Sequence, residues 1–197
     1  MKFLYRYYIK EIFERFIAFF LLIFFMPVIL AIAGIIRITS NGPAVYTQLR
    51  NGQHGKVFRI YKFRTMYIHL CDNGTQQATQ KDVRVTPFGH FLRISHLDEL
   101  PQLFNVIKGD MNLIGPRPHA VPMDHAYAAV NPQYWRRYHQ KPGITGWAQI
   151  NRLHGETKTS EDMMKRVVYD VTYAHIASPV IDCIIGYHTL CILLRIR

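Results

Sequence analysis

The sequence has few cysteines and no cysteine pair, and this removes several classes of site. The three cysteines, Cys71, Cys183 and Cys191, are an odd number and show no CxxC spacing. A disulfide framework and a cysteine-ligated zinc site are therefore not expected, and a reducing, cytoplasmic setting fits best. The ten histidines contain no HExxH or other paired spacing, so we assign none of them to a metal.

Acidic residues are also scarce. The 13 Asp and Glu face 24 Lys and Arg, which leaves a formal net charge of +11. Such a surplus indicates a polyanionic partner, which could be nucleic acid, anionic lipid head groups or a diphosphate substrate. Composition does not choose among these three. The length of 197 residues suits one catalytic domain with a membrane element, and is too short for two independent enzyme domains.

Charge is missing altogether from the stretch 16–36, FIAFFLLIFFMPVILAIAGII. These 21 residues are long enough to cross a hydrocarbon core of ~30 Å as a helix. No small-x-small cleavage site follows the stretch, and the apolar run is too long for a cleaved signal peptide. The sequence therefore predicts a membrane-embedded segment over residues 1–39 and a domain at the cytoplasmic face over residues 40–197.

The two flanks of this segment favour a re-entrant path over a crossing. Basic residues stand on both sides of it, at Lys2, Arg6, Lys10 and Arg15 before it and at Arg37, Arg50 and Lys56 after it. The positive-inside rule therefore draws both ends to the cytoplasm. Pro27 lies near the middle of the run, where it favours a break that lets the chain turn back. A single spanning helix remains open, since proline is tolerated in ordinary membrane helices.

The first part of the domain alternates turns with one clear strand. A turn cluster at 40–43 is followed by VFRIYKFRTM at 57–66, whose β-branched and aromatic residues predict a strand. Period-2 geometry places Lys62 and Arg64 on one face and Arg59 on the other, and the plain interpretation of all three is a solvated basic edge. The polar stretch 70–82 is expected to form a mobile loop that could act as a lid.

Two helices are expected on either side of an acidic pair, Asp98-Glu99. Thr86-Pro87 is typical of an N-cap and first helical residue, for a short helix ending near Ser95. An apolar stripe with i, i+3, i+4, i+7 spacing then predicts a helix over 99–108, stopped by Gly109; its members are Leu100, Leu103, Phe104 and Ile107. Pro101 supports a helix start here, and Asp98 is then expected at the N-cap.

The acidic pair has two interpretations. Successive helical residues diverge by about 100°, so two carboxylates in one site would have separate tasks, one attacking phosphorus and the other holding a metal ion. The alternative is ordinary helix capping by Asp98 with Glu99 in the first turn. The turn Gly115-Pro116-Arg117-Pro118 favours the first, because a guanidinium held between two prolines suits bidentate phosphate recognition.

Two features of the C-terminal part bear on the site and the membrane. Asp170 falls on the apolar face of a helix that begins at Thr159 or Ser160, so its carboxylate is expected to be buried and either functional or paired with an arginine. The apolar stretch 178–197 has aromatic and basic ends and is short for a crossing. It is therefore expected to be a helix lying in the membrane interface.

Several short motifs occur in an order and spacing that resemble one known family. They are KFRTM at 62–66, LDELPQLFNVIKGDM at 97–111, GPRP at 115–118 and KPGITGWAQIN at 141–151. Together with the proline-containing apolar segment, they resemble the bacterial sugar transferases. These are monotopic phosphoglycosyl transferases, which move a sugar 1-phosphate from a nucleotide diphosphosugar onto a polyprenyl phosphate. The resemblance implies an α-rich α+β fold: one small catalytic domain with a small β element, a re-entrant helix broken at Pro27, and interfacial amphipathic helices.

The resemblance also implies roles for particular residues. Asp98 matches the aspartate nucleophile of the family, and Glu99 matches its acidic partner, which is associated with Mg²⁺. Four further positions match ones that the family pattern treats as functional: Lys62, Arg93 and Arg117, expected to bind substrate phosphate, and Asp170, expected to support them. His96 stands where serine usually precedes Leu-Asp-Glu, and Arg152 where glycine is common; neither touches the acidic pair.

The implied reaction is transfer of a hexose 1-phosphate from a UDP-sugar to undecaprenyl phosphate, through a phospho-aspartyl intermediate and with release of UMP. This would be the first membrane step of a bacterial glycan pathway, at the cytoplasmic face of the inner membrane. HGETKTSEDM at 154–163 is most similar to members that use UDP-glucose. Membrane lipid is an expected partner, nucleic acid is not, and a homodimer is compatible with the resemblance. The competing hypothesis is a non-enzymatic, membrane-anchored basic module that binds anionic lipid or nucleic acid, which explains the charge but not the acidic pair.

Overall fold

The computed structural model describes residues 5, 9–70, 79, 82–153, 155, 157 and 159–194. Its helices are α1 (Lys10–Thr39), α2 (Pro87–Ile94), α3 (Gln102–Lys108), α4 (Val121–Val130), α5 (Trp147–Ile150), α6 (Ser160–Ile176) and α7 (Pro179–Leu193). Its strands are β1 (Val45–Asn51), β2 (Val57–Phe63), β3 (Asn112–Ile114) and β4 (Gly143–Thr145). Short 3-10 segments lie at Gln53–Gly55, Ile68–Leu70, Leu97–Glu99 and Pro132–His139. A mainly helical chain with a small β element confirms the expected α-rich α+β class.

The strands form two separate two-stranded sheets. β1 and β2 are antiparallel, with Tyr46 opposite Lys62, and β3 and β4 are parallel, with Asn112 opposite Gly143. The strand expected over 57–66 ends at Phe63, because its partner begins only at Val45, after a turn that contains Pro43. GPRP follows β3 and KPGITG contains β4, so this sheet brings together two motifs that are remote in sequence.

The segment 57–66 was expected to form a solvated basic edge, and this is correct for only one of the three cations considered. Arg59 is exposed, whereas Lys62 lies largely buried beside Glu99. Arg64 is 5% exposed and donates to the carbonyl oxygens of Ser40, at 2.8 Å, and Asn41. The guanidinium of Arg64 therefore pairs with the carbonyl groups at the C-terminal end of α1, where a cation also complements the helix dipole.

α1 is one continuous helix that passes through Pro27. The kink or break expected at Pro27 thus does not interrupt the helical hydrogen bonding, because a proline inside a helix can be accommodated by a bend while most backbone hydrogen bonds stay formed. One side of α1 packs on β2 and α3 in the main hydrophobic core, through residues such as Leu22, Ile32 and Ile36. The other side is exposed and rich in phenylalanine, with Phe24 74% exposed.

α1 is the one described helix that is long and apolar enough to cross a membrane. Both of its ends nevertheless contact the same domain. Near the N-terminus, the Glu14 carboxylate accepts a hydrogen bond from Leu113 N at 2.9 Å, and near the C-terminus Ser40 binds Arg64. α7 resembles α1 in exposing apolar side chains to solvent, among them Val180, Tyr187 and Leu190. The C-terminal helix expected from sequence is thus confirmed as an element, over Pro179–Leu193.

Several expectations fall outside the described residues. The possible lid over 70–82 is described only at Leu70, Thr79 and Asp82, and Cys71 lies outside. Of HGETKTSEDM, residues 154, 156 and 158 lie outside, as do residues 195–197 of the C-terminal stretch.

Candidate active site

Asp98 and Glu99 lie in a 3-10 turn, Leu97–Glu99, between α2 and α3. α2 itself follows the prediction, since Thr86 caps it by accepting from Gly89 N at 2.9 Å. The predicted N-cap role of Asp98 is wrong, because α3 begins at Gln102 with Pro101 as its N-cap. The turn is entered through His96, whose backbone is left-handed (φ 58°). The acidic pair is therefore not part of a helix cap, and the plain capping interpretation fails.

Glu99 is held by two cations. Lys62 Nζ donates to its Oε1 at 2.9 Å, while Arg117 donates to both carboxylate oxygens, with Nη1 3.1 Å from Oε2 and Nη2 on Oε1. Burial alone would raise the pKa of Glu99, but Arg117 and Lys62 hold that pKa well below its usual range. The Glu99 carboxylate thus fixes two cations in the site.

Asp98 differs from Glu99 in its hydrogen bonds and in the direction of its pKa shift. It is 9% exposed, and in the described part of the chain no group donates a hydrogen bond to its carboxylate. Burial raises the pKa of Asp98, with the Glu99 charge acting in the same direction, and Lys62 and Arg117 act against this rise. A carboxylate with free lone pairs and a raised pKa is better suited to attack an electrophile than one saturated with donors.

Lys62 is positioned by a buried amide that the sequence did not single out. Asn105 of α3 accepts from Tyr61 N at 3.0 Å and donates to Arg59 O at 2.7 Å. These two hydrogen bonds tie α3 to β2 on both sides of Ile60. Because Lys62 follows Tyr61 in β2, they also fix Lys62 against Glu99.

Arg93 lies on α2, and its Nε donates to Thr65 Oγ1 at 2.9 Å. The close approach of α2 to this segment requires a glycine, because a Cβ at Gly89 would lie 2.1 Å from Thr65 O. Arg93 also lies near enough to lower the pKa of Asp98. The structure therefore brings Lys62, Arg93 and Arg117 together around the acidic pair.

The arginine turn after β3 is held from behind by three hydrogen bonds to its carbonyl oxygens. Pro116 O accepts from Gly143 N at 2.9 Å, Arg117 O accepts from Arg137 at 2.8 Å, and Pro118 O accepts from Arg50 at 3.2 Å. The Arg117 guanidinium faces the opposite way, toward Glu99. The turn is rigid, as the two prolines predicted, but the fixing groups come from distant segments.

Asp170 forms a buried ion pair with Arg137. Arg137 Nη2 lies 2.8 Å from Asp170 Oδ2, and the two side chains are 1% and 2% exposed. Burial raises the pKa of Asp170, and the Arg137 guanidinium acts against that rise. The arginine-pair interpretation is thus confirmed, and Asp170 reaches the Arg117 turn only through Arg137. Arg137 was not singled out from the sequence.

Replacing Asp170 by asparagine is expected to destabilise the protein strongly. The variant leaves the Arg137 guanidinium charged and buried without its carboxylate, which costs about 3–5 kcal/mol in the free energy of unfolding. The double variant Arg137→Met/Asp170→Leu should recover most of that loss, because no uncompensated charge remains. Denaturant unfolding in detergent checks both. Equal stability of Asp170→Asn and the parent would show that the pair is not needed for folding.

The site offers oxygen ligands to a metal ion, but only two carboxylates. No group of three or more His, Cys, Asp or Glu side chains that could hold a metal lies together in the described ranges. Glu99 Oε1 already accepts two hydrogen bonds and Oε2 one, so one lone pair of Oε2 remains beside the free carboxylate of Asp98. This donor set fits Mg²⁺, which commonly binds through one or two carboxylates together with substrate phosphates and water.

Known proteins resemble this chain over most of its length. A family model described as "Bacterial sugar transferase" matches residues 5–196. A UDP-glucose:undecaprenyl-phosphate glucose-1-phosphate transferase of Klebsiella pneumoniae is 48% identical over 153 residues, which cover 78% of this chain and 33% of that protein. An Aeromonas hydrophila protein named UDP-N-acetylgalactosamine-undecaprenyl-phosphate N-acetylgalactosaminephosphotransferase is 40% identical over 84% of this chain and 39% of its own length.

A third relative is similar in size to this chain. The exopolysaccharide production protein PSS of Rhizobium leguminosarum bv. phaseoli is 37% identical over 186 residues, which are 92% of this chain and 93% of that protein. By contrast, the chain spans about a third of the length of the Klebsiella relative. The family model nevertheless covers nearly all of the chain, including every residue of the candidate site. The chain therefore belongs to the bacterial sugar transferase family.

Proposed function

We propose that this protein is an enzyme that transfers a sugar 1-phosphate from a UDP-sugar to undecaprenyl phosphate and releases UMP. The proposal rests on the different hydrogen bonding of the two residues in the acidic pair. Lys62 and Arg117 occupy three of the four lone pairs of Glu99. Asp98, next to it, is buried, and no described group donates a hydrogen bond to its carboxylate. Fixed cations beside an unengaged carboxylate are what phosphoryl transfer through a covalent intermediate requires.

The reaction proceeds in two displacements at one phosphorus atom. An Asp98 carboxylate oxygen attacks the sugar-bearing β-phosphorus, the bond to the bridging oxygen breaks, and UMP leaves with that electron pair. The sugar phosphate is then held on Asp98 as an acyl phosphate. A phosphate oxygen of undecaprenyl phosphate attacks the same phosphorus and releases the Asp98 carboxylate, which yields undecaprenyl diphosphate linked to the sugar.

Three cations stabilise charge during these steps. Arg117 and Lys62 are already oriented by Glu99, and Arg93 stands on the neighbouring helix α2. Preorganised donors of this kind need no rearrangement when negative charge develops on the phosphoryl oxygens and on UMP. Asp170 supports them by fixing Arg137, which holds the Arg117 carbonyl.

A magnesium ion is proposed as the cofactor, held by Glu99 and by the diphosphate of the substrate. Bound there, Mg²⁺ neutralises charge on the diphosphate. With so few protein ligands, binding of the ion depends on the substrate. Glucose is the proposed sugar, because the Klebsiella relative is named for UDP-glucose and the segment 154–163 resembles members that use it. A related hexose is the alternative, as the name of the Aeromonas relative indicates.

Release of UMP tests the proposed activity. Purified protein with Mg²⁺ and undecaprenyl phosphate is given a panel of UDP-sugars, and UDP-glucose is expected to yield UMP. Absence of UMP with every sugar would favour the alternative, a non-enzymatic basic module that binds anionic lipid or nucleic acid. That alternative leaves the arrangement around Asp98 without a purpose.

The protein is proposed to sit at the cytoplasmic face of the bacterial inner membrane, with α1 re-entering on one side. Two ends of one long apolar helix bind the same basic domain, near Glu14 and near Ser40. A straight crossing would place those ends on opposite sides of a core of ~30 Å. The exposed apolar faces of α1 and α7 would contact the acyl chains and interface. In this arrangement we expect the site to lie at the level of the lipid phosphate.

Cysteine labelling tests this topology. In a variant with Cys71, Cys183 and Cys191 replaced by serine, a single cysteine is introduced at residue 2 or at residue 41. Both positions are expected to resist a membrane-impermeant thiol reagent in spheroplasts and to react after lysis. Labelling of either one in intact spheroplasts would show that α1 crosses.

A further inference from the structure

We propose that Glu14, on the membrane helix α1, is a positioning residue for Arg117. This inference depends on the proposed function, in which Arg117 binds the substrate diphosphate. Glu14 is buried in the first turns of α1 and lies far from Arg117 in sequence. It acts through β3, the short strand that leads into the arginine turn.

Glu14 occupies the free edge of β3. On its paired edge, Asn112 N donates to Pro142 O at 2.8 Å. Alternate backbone groups of a strand point to opposite edges, so Leu113 N points away from β4. No other described strand adjoins that edge, and Glu14 Oε2 accepts from Leu113 N at 2.9 Å. A carboxylate of α1 thus stands where a third strand would supply a carbonyl oxygen.

The Glu14 carboxylate is itself fixed by a buried cation. Lys10 Nζ donates to Glu14 Oε1 at 2.8 Å, to Asp182 Oδ2 at 2.7 Å and to Tyr173 Oη at 3.0 Å. These three acceptors use all three donors of the ammonium group. Because Asp182 and Tyr173 belong to α7 and α6, the network anchors the start of α1 to two other helices. Glu14 therefore cannot turn away from β3 without removing one of the three acceptors of Lys10.

The first turns of α1 contact the second strand as well. Glu11 pairs with Lys141, two residues before β4 begins, and also with Arg15 of α1. Two acidic residues of the membrane helix therefore hold the two strands from which Arg117 and its supporting Gly143 arise. The position of α1 therefore determines the position of the sheet formed by β3 and β4. That sheet in turn determines the direction in which Arg117 faces Glu99.

Buried charges at this junction indicate a purpose beyond packing. α1 binds the main core through apolar residues such as Leu22 and Ile36, which stabilise it without directional bonds. Burial of a lysine with two carboxylates carries a desolvation penalty that often leaves no net gain in stability over an apolar contact. A hydrogen-bonded carboxylate does, however, fix the register of a strand, which an apolar contact does not do.

A double-mutant cycle with Arg117 separates positioning from general stability. Glu14→Ala is expected to lower kcat/KM for UMP release by about 10²-fold, the scale of a small misplacement of a binding group. In an Arg117→Ala background the same substitution should change the rate less than about twofold, because residues that act as a unit are not additive. In an Arg93→Ala background the full factor should remain. The same factor in all three backgrounds would show a structural role only and overturn the proposal.

Two further measurements keep the test decisive. Glu14→Gln retains an amide oxygen for Leu113 N and leaves Lys10 paired with Asp182 and Tyr173, so it should regain most of the rate that Glu14→Ala loses. Amide exchange of the segment 112–118 should be faster in Glu14→Ala than in the parent, with β1 and β2 unchanged. Unchanged amide exchange over 112–118 in Glu14→Ala would overturn the positioning role, whatever the activity of the parent. Absence of UMP release by the parent would overturn only the proposed activity.

Discussion

Asp98→Asn is expected to abolish UMP release. The asparagine amide has nearly the shape of the carboxylate but is a poor nucleophile, and the loss should be on the order of 10⁴-fold in kcat. The fold should survive, because no described group donates a hydrogen bond to Asp98 and the pairing of Glu99 with Lys62 and Arg117 does not involve it. UMP release is followed with UDP-glucose, Mg²⁺ and undecaprenyl phosphate.

Asp162→Asn provides the matched control for this variant. Asp162 lies in the first turn of α6, and its removal changes the net charge by the same amount. We expect the rate of Asp162→Asn to stay within about twofold of the parent, as is usual for a surface substitution. A rate for Asp98→Asn within tenfold of the parent would show that another group attacks phosphorus.

Arg117→Ala is the second variant with a large expected effect. It removes the bidentate partner of Glu99 and one of the cations that meet the diphosphate, and we expect kcat/KM to fall by about 10²–10³-fold. Arg117→Lys should recover only a small part, since an ammonium group cannot make both hydrogen bonds at once. Initial rates at several UDP-glucose concentrations separate the effects on KM and kcat.

Arg136→Ala is the control for the loss of an arginine. Arg136 is exposed on the segment Pro132–His139, and it is adjacent in sequence to the buried Arg137. Its replacement should leave the kinetics nearly unchanged. An equal fall in rate for Arg136→Ala and Arg117→Ala would mean that overall positive charge, rather than the position of Arg117, determines activity.

Local signals in the sequence predicted those parts of the fold that short-range geometry decides. Thr86-Pro87 correctly marked the start of α2, and Gly109, with φ of 84°, correctly marked the end of α3. The helix expected from Glu99 begins three residues later instead. The apolar stripe Leu100, Leu103, Phe104 and Ile107 correctly predicted one face of the helix but not its first residue. Pro101 and the left-handed backbone of His96 delay the start of the helix.

The residues of the candidate site were predicted, but the contacts among them were not. The sequence placed Asp98, Glu99 and Arg117 in one short stretch, but it contained no signal that Lys62 would be drawn to Glu99 or that Asn105 would fix it there. Such contacts depend on how β2 packs on α3, and periodicity along one segment carries no information on that packing.

Buried polar residues were the least predictable part of the molecule. Arg137 and Arg136 are neighbours of the same type, and only tertiary structure makes one the partner of Asp170 and leaves the other in solvent. Lys10 was likewise counted among the flanking charges that orient a membrane helix, whereas it lies buried between Glu14 and Asp182. A charged residue in a basic sequence is expected at the surface, and composition does not show which of many such residues is buried.

The central claim is that Asp98 carries the sugar phosphate between donor and acceptor, and a trapped intermediate tests it most directly. The protein is mixed with UDP-glucose and Mg²⁺ without undecaprenyl phosphate, quenched in acid, and weighed intact and as peptides. We predict a gain of one hexose phosphate on the peptide that contains Asp98, its loss when undecaprenyl phosphate is added before the quench, and no gain in Asp98→Asn. Unmodified protein that releases UMP only when the acceptor is present would contradict the account and show direct transfer.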